Sequence, residues 1–300
     1  MHKLARQVRF SINPFLPRPS ERRGLSEEIE GFNSFVSMPA GEGLSIFLEL
    51  SVEVIGEVEP ATGFVVNVAD IDKNVREFVV PVFAERIKQD FHRARHIGFF
   101  AVAELLKSAW SRLADKFGPA RLSKLSLKLN PFRKVDIESK DLEMVYFSEK
   151  FEFAATHKLW NDDFSEEHNF EVFGKCANPT GHGHNYIVEV TIKMPAPPFR
   201  GAGLPAGASK NDFHTPVRSV LFSISDFERV VDNELIKLID HKNLNADVDY
   251  FSRTNPTVEN IAVFAWNKLA GKFGQTALHC VTVWETDKTY SSYYGPCKSE

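Results

Sequence analysis

Apolar and polar residues alternate along two stretches in the second half of the chain. Residues 187–192 read Ile-Val-Glu-Val-Thr-Ile, and the run 149–157 ends at His157. A period of two is typical of a half-buried strand, so we predict two strands that lie side by side. A third apolar run at 277–285 predicts another strand of the same sheet.

Two other stretches have apolar residues at helical spacing. A capping-box pattern at residues 225–228 predicts the start of a helix. Its apolar face is expected to contain Phe227, Val230, Val231 and Leu238. A second helix is expected to end at Gly271 and to bury Ile261, Ala265, Trp266 and Leu269. Two helices on one face of an antiparallel sheet make an α+β architecture.

The chain resembles itself at two places. Residues 39–50 align with 179–190 at an offset of 140, and residues 110–118 align with 266–274 at an offset of 156. The difference, 156 minus 140, places sixteen extra residues in the second copy, which we assign to the Pro/Gly-rich loop 194–219. That loop is interpreted as a connector or as a lid. We predict two domains, 1–138 and 139–300, joined at the charged stretch 134–143.

Composition narrows the class of protein. The 300 residues are 43% hydrophobic and 25% charged, as in globular proteins, and the net charge of −4 gives no drive toward nucleic acid or anionic membranes. No apolar run reaches the roughly 20 residues of a spanning helix, and the start lacks a signal-peptide core. Three cysteines, an odd number, do not form a disulfide framework. We therefore expect a reduced, cytoplasmic protein.

The clearest candidate chemistry is a pair of histidines. His182 and His184 flank one glycine at the start of a predicted strand, so both imidazoles project from one face. His157, at the end of the neighbouring strand, is the leading third candidate. A catalytic zinc site uses three protein ligands and keeps one position open. We predict such a site here, although a His-x-His pair by itself is often surface decoration.

Cys176 precedes His182 by six positions. It could serve as a thiolate base, as a fourth metal ligand or as an inert buried thiol. A closed structural zinc site usually has cysteines at short spacing, and the sequence has no such pair. The thiolate base beside an open three-histidine site is therefore the favoured interpretation.

Six motifs now occur in one order: Phe153-x-Ala-x-His157, Phe173-Gly-Lys-Cys176, Gly181-His-Gly-His-Asn-Tyr186, Leu238-Ile-Asp-His-Lys-Asn-Leu244, Thr257-Val-Glu-Asn260 and Trp284-Glu-Thr-Asp287. With these motifs the chain, from about residue 146 to 295, resembles the 6-pyruvoyl tetrahydropterin synthase family of the tunnelling fold. The resemblance implies α+β tunnelling-fold (T-fold) units, here in tandem.

The resemblance also implies a zinc-dependent lyase of tetrahydrobiopterin biosynthesis. Its substrate would be 7,8-dihydroneopterin triphosphate, and its products 6-pyruvoyl tetrahydropterin and triphosphate. The residues implied are His157, His182 and His184 as Zn²⁺ ligands, Cys176 as general base, Asp240 and His241 as proton relay, Glu285 as pterin anchor, and Thr257 and Glu259 as pocket residues. Taken without the resemblance, Thr257 could equally cap a helix, His241 could stabilise a helix dipole, and Glu285 could be an ordinary carboxylate.

Two alternative functions stay open at this point. Five residues separate Cys176 from His182, which resembles the biopterin-pathway synthases; relatives that make 6-carboxytetrahydropterin in the queuosine pathway typically have three. The 6-carboxytetrahydropterin synthase is thus the first alternative. A non-catalytic pterin-binding or scaffold protein is the second.

The first half lacks the site residues of the second. At the offset of 140, Val36, Glu42 and Leu44 stand where Cys176, His182 and His184 do, Pro14 falls near the strand-end histidine, and Leu129 takes the anchor position. We predict a degenerate copy without metal or catalysis. Barrels of this family close by joining sheets, so we expect a homo-oligomer that closes a β-barrel, either dimer or trimer, with no nucleic-acid or membrane partner.

Overall fold

The computed structural model describes residues 1–15, 44–196, 222–274 and 276–296. Its contacts divide the chain into two compact units, the first within Met1–Tyr146 and the second formed by Phe147–Met194 and Val220–Glu300. Most of the loop 194–219, together with Val36 and Glu42, lies outside the described residues. The domain boundary at 138/139, the tandem arrangement and the degenerate first copy stay predictions.

The first unit is an antiparallel sheet with helices on one face. Its strands are β1 (His2–Ile12), β2 (Ile46–Gly56), β3 (Arg121–Lys128) and β4 (Arg133–Glu138), hydrogen-bonded in that order. Its helices are α1 (Val68–Asn74), α2 (Val80–His92) and α3 (Phe99–Leu113), with a π-helical turn at Val75–Val79 joining α1 to α2. Alternation places Val8 and Phe10 in the core, and the Phe10 ring meets Phe83 of α2 edge-on with 6.0 Å between centroids.

The opposite face of this sheet is polar and is held by ion pairs. Arg9 bonds Glu49 at 3.1 Å, and Lys124 contacts Asp136 at 3.0 Å. The first part of the stretch 134–143, which is expected to join the domains, belongs to β4, where Val135 and Ile137 alternate into the core.

The second unit contains the three strands that the sequence predicts, β5 (Met144–His157), β6 (His182–Pro195) and β8 (Ala277–Thr286). Two further strands, β7 (Lys242–Asn243) and β9 (Thr289–Tyr293), join them. β6 lies beside β5, pairs antiparallel with β8, and β8 pairs with β9, while the short β7 runs parallel to β5. The helices are α4 (Glu166–Phe173), α5 (Ile224–Val231), α6 (Lys237–Ile239), α7 (Leu244–Asp247) and α8 (Val258–Leu269). This confirms the α+β class.

One predicted helix differs in its start and its buried face. Ser223, not Ser225, caps α5, since its side chain accepts from the Asp226 amide. A π-helical turn at Asp232–Ile236 then shifts the helical register, so Leu235 and Ile239 are buried. The expectation that Leu238 belongs to the apolar face was wrong, because its side chain is 39% exposed.

Within the described residues, no helix has both the length and the apolar character needed to cross a membrane.

Candidate metal centre and active site

The site lies where the core-facing stripes of three strands end. Phe153, Ala155 and His157 are the buried residues of β5 at period two, and on β6 the buried Tyr186 continues the parity of His184 and His182. On β8, Glu285 follows the parity of the buried Val281 and Val283. Polar side chains therefore replace apolar ones at the same end of neighbouring strands.

The three imidazoles and one carboxylate meet in a tight cluster, with one ligand atom of each within 4.8 Å of the others. His157 Nε2 lies 3.1 Å from His182 Nε2. Glu285 Oε1 lies 3.3 Å from His184 Nε2 and 3.5 Å from His157 Nε2. The structure thus brings together the three predicted metal ligands and adds Glu285, which the sequence suggested only as a pterin anchor.

Two glycines allow β6 to approach β5 this closely. A Cβ on Gly183 would stand 3.2 Å from Thr156 Cγ2 and 3.3 Å from the carbonyl oxygen of Ala155. A Cβ on Gly181 would stand only 2.7 Å from the carbonyl oxygen of His157, and its φ of +68° is one that L-residues rarely adopt. The glycines of the His-Gly-His motif thus set the distance between the histidines.

His157 is held in one tautomer. Its Nδ1 lies 2.8 Å from the carbonyl oxygen of Pro256, an acceptor only, so Nδ1 carries the hydrogen and the Nε2 lone pair faces the cluster. The residue is 2% exposed, and burial lowers the pKa of His157. Burial, and after it the neighbouring His184, also lowers the pKa of His182. Both shifts favour the neutral imidazoles of His157 and His182, the form that binds metals.

A divalent cation fits this arrangement of donor atoms. Nitrogens bound to one tetrahedral zinc are about 3.3 Å apart, since each Zn–N distance is about 2.0–2.1 Å, and the closest pair here is 3.1 Å apart. His182 Nδ1 and His184 Nε2 are buried polar atoms without a hydrogen-bond partner among the described residues. Unsatisfied buried nitrogen in a cluster of metal-binding side chains is typical of a site built for an ion.

Cys176 lies beside this cluster. It belongs to a 3₁₀ turn, Gly174–Ala177, and its carbonyl accepts a 2.9 Å hydrogen bond from Leu159, just beyond the end of β5. Its Sγ is 3.7 Å from His182 Nε2. Burial, and then the negative charge of Glu285, raises the pKa of the Cys176 thiol in the protein alone. A thiolate at this position therefore requires added positive charge nearby.

Asp240 and His241 are fixed to β5. Asp240 Oδ1 accepts from the Ala154 amide at 2.9 Å, and its Oδ2 lies 2.9 Å from His241 Nδ1. The His241 amide in turn donates to the Ala154 carbonyl at 2.6 Å, which holds His241 at a φ of +56°. The backbone hydrogen bond from Ala154, the largest cause, lowers the pKa of Asp240.

His241 and His184 line one cleft of about 450 Å³, whose other lining residues are Ala154, Ala155, Thr156, Gly183, Asn185, Lys242 and Asn243. The His241 side chain is 82% exposed. None of the hydrogen bonds between described residues joins it to Cys176. The structure therefore places the candidate relay at the cleft, without a direct bond to the candidate base.

The two predicted pocket residues have different surroundings. The Thr257 side chain caps α8 by accepting from the Asn260 amide at 3.3 Å, which is the structural role left open by the sequence. Glu259 is exposed on the first turn of α8, and no ion pair or hydrogen bond of the described residues joins it to the cluster. Their roles toward a substrate stay predictions.

Sequence reasoning missed the Pro256 carbonyl and the reach of Glu285 into the cluster. A backbone acceptor leaves no signal in side-chain identity. The parity of Glu285 with Val281 and Val283 was a usable signal, because it places the carboxylate on the face that carries the histidines.

Comparison with known proteins agrees with this geometry. A protein-family model described as 6-pyruvoyl tetrahydropterin synthase matches residues 146–296. The chain belongs to the 6-pyruvoyl tetrahydropterin synthase family. Its similarity to the Homo sapiens 6-pyruvoyl tetrahydrobiopterin synthase is 34% identity over 148 residues, 49% of this chain and 90% of that protein. For the Drosophila melanogaster protein of the same name it is 33% over 154 residues, 51% of this chain and 81% of that protein.

A solved structure of the Caenorhabditis elegans 6-pyruvoyl tetrahydropterin synthase is 28% identical, with a TM-score of 0.41, over 51% of this chain and 96% of that one. The predicted lyase of the 6-pyruvoyl tetrahydropterin synthase kind is confirmed at the level of the family. These relatives are named for the 6-pyruvoyl product, and they favour neither the 6-carboxy alternative nor the non-catalytic binder.

Proposed function

We propose that this protein is a zinc-dependent lyase that converts 7,8-dihydroneopterin triphosphate to 6-pyruvoyl tetrahydropterin and triphosphate. The observation that carries the proposal is the convergence of His157, His182 and His184 beside the Cys176 thiol in a chain of this family. The reaction needs no external oxidant. The carbon–oxygen bond to triphosphate breaks with its electrons leaving on triphosphate; the neighbouring alcohol carbon loses its C–H proton in this elimination and becomes a ketone, and the terminal carbon takes up a proton and becomes a methyl group. The alcohol next to the ring becomes a ketone as its two hydrogens pass by tautomerisation to the C=N bond of the dihydropterin ring, which is reduced.

The three histidines would hold the zinc ion through ring nitrogens that the structure directs into one cluster. When bound, zinc supplies a Lewis acid that makes the side-chain hydroxyls and the neighbouring C–H of the substrate more acidic. The Pro256 carbonyl keeps the proton of His157 on Nδ1, which leaves Nε2 free as a ligand.

Cys176 would remove a proton from the substrate side chain. Its thiol is mostly protonated near neutral pH, and burial raises its pKa further in the protein alone. A divalent charge in the histidine cluster acts in the opposite direction, since Cys176 Sγ is 3.7 Å from His182 Nε2. The base is thus expected to be active only in the metal-loaded protein.

Asp240 and His241 would move a second proton at the cleft that His184 also lines. The Asp240 carboxylate orients the imidazole through His241 Nδ1, and the two bonds to Ala154 fix the pair in place. Glu285 would accept the amino and ring N–H donors of the pterin edge. Thr257 and Glu259 would line the pterin pocket.

We further propose that the protein works as a cytoplasmic homo-oligomer in which sheets of several chains close a β-barrel. The first unit would contribute sheet and pocket walls without metal or catalysis. Among the strands that the structure describes, β1 and β9 are at the ends of the hydrogen-bonded orders within their units, so each presents an edge that another chain could pair with.

The test is one product assay. The full chain, loaded with zinc, is incubated with 7,8-dihydroneopterin triphosphate, and the products are identified by mass spectrometry. We expect 6-pyruvoyl tetrahydropterin and triphosphate. A product that has shed its side chain as acetaldehyde would instead identify the 6-carboxy reaction, and unchanged substrate would contradict the lyase proposal.

A further inference from the structure

Glu285 stands at an irregularity of the β8–β9 ladder. The register passes from Trp284 paired with Tyr290 to Thr286 paired with Thr289, so Glu285 has no ladder partner in β9. A bulge of this kind redirects a side chain, and bulges are common beside functional sites. On its other side, the pairing of β8 with β6 ends at Trp284 opposite Ile187. Among the described residues, Glu285 therefore lies outside the paired positions of β8 on both sides, at the bulge.

The carboxylate points into the group of imidazoles. Its Oε1 lies 3.3 Å from His184 Nε2 and 3.5 Å from His157 Nε2. These two separations match the distance of about 3.3 Å between donor atoms that share one tetrahedral zinc. The side chain is only 21% exposed, so most of it is removed from water.

We infer that Glu285 is a fourth ligand of the ion held by His157, His182 and His184 when no substrate is bound. The inference rests on the metal site of the proposed function. Three neutral imidazoles carry no charge to offset a divalent cation, and a carboxylate supplies one negative charge and a hard oxygen donor. His184 Nε2, which lacks a hydrogen-bond partner among the described residues, is the nitrogen nearest to that oxygen.

This assignment gives Glu285 two partners that exclude one another. A four-ligand site is closed, as structural zinc sites are, whereas substrate binding needs an open position. If the carboxylate also accepts from the pterin edge, it must leave the ion as the pterin arrives. Glu285 then keeps the fourth position filled until a ligand with the pterin's two donors draws it away.

The experiment uses the full chain from which metal has been removed, without substrate. Its zinc affinity is measured by competition with a chromophoric chelator. Glu285→Gln keeps the shape of the side chain and removes its charge. Asp287→Asn is the matched control, because it removes an exposed carboxylate two residues after Glu285, in the turn between β8 and β9. We expect Glu285→Gln to weaken zinc binding about tenfold or more, and Asp287→Asn to retain the parental affinity.

A crystal structure of the zinc-loaded parent separates ligation from the effect of charge alone. We expect a Glu285 oxygen about 2.0–2.2 Å from the ion. Parental affinity in Glu285→Gln, or an ion held by the histidines with Glu285 out of contact, would overturn the inference. Neither the zinc titration nor the crystal structure uses the pterin triphosphate. If both give the expected result but the protein forms no 6-pyruvoyl product, the ligand role of Glu285 stands and the proposed function is wrong.

Discussion

Replacing Gly181 by alanine tests how closely β5 and β6 must approach. Two costs follow from the structure. The φ of +68° is left-handed, which costs an L-residue about 1–2 kcal/mol. The new Cβ would also stand 2.7 Å from the carbonyl oxygen of His157, and overpacking of this kind costs about 1–3 kcal/mol. Alanine restricts the unfolded chain and so returns about 0.4–1 kcal/mol. We expect a net loss of about 1–5 kcal/mol in the free energy of unfolding.

Gly271→Ala separates the two costs. Gly271 has a comparable φ of +75° but no atom within 4 Å of the position of a Cβ, so it has the backbone cost without the contact. Its expected loss is about 1.6 kcal/mol or less, because the contact cost is missing. Urea unfolding of both variants, monitored by far-ultraviolet circular dichroism, gives the comparison. Gly181→Ala should also bind zinc more weakly, because the contact displaces the backbone of His157. Equal losses in the two variants, with zinc binding unchanged in both, would refute the reasoning.

Three further predictions follow from the site. The metal-free protein should lose stability as the pH falls below about 6.5. The pKa values of His157 and His182 are lower in the folded protein than in the unfolded chain, so the unfolded chain takes up protons first. Urea unfolding at several pH values measures this change, and a stability that does not vary with pH contradicts it. Cys176→Ala should lower kcat at least about 100-fold while the zinc content is unchanged, and a variant as active as the parent would remove the assignment of the base. Thr257→Ala should cost about 1 kcal/mol through the lost helix cap, whereas Thr257→Ser should retain the stability; equal stability of the alanine variant and the parent would show that the cap is unimportant.

The sequence predicted the elements that alternate strictly. The period of two placed His182 and His184 on one face of β6 and His157 at the end of β5, and the structure has both strands. The prediction worked because a strand has little freedom once one face is buried. The helix that begins after residue 223 was harder to predict from the sequence. Its π-helical turn adds a residue to one helical turn, and no pattern of apolar positions indicates where such a turn occurs.

The details of the candidate metal site depend on contacts that are distant in sequence. The Pro256 carbonyl reaches His157 across 99 positions. Glu285, which contacts the histidines, lies at an irregularity of the β8–β9 ladder that no residue pattern indicates. The family motifs identify which side chains lie in the site. Their hydrogen bonds depend on how the strands and α8 pack together.

Zinc content tests the central claim most directly. The parent chain and His182→Ala are purified with zinc present, dialysed against buffer without metal, and analysed by atomic emission. The account predicts about one zinc ion per chain in the parent, since the three histidines form one site, and a large loss of zinc in His182→Ala. The same zinc content in both proteins, or none in the parent, would contradict it.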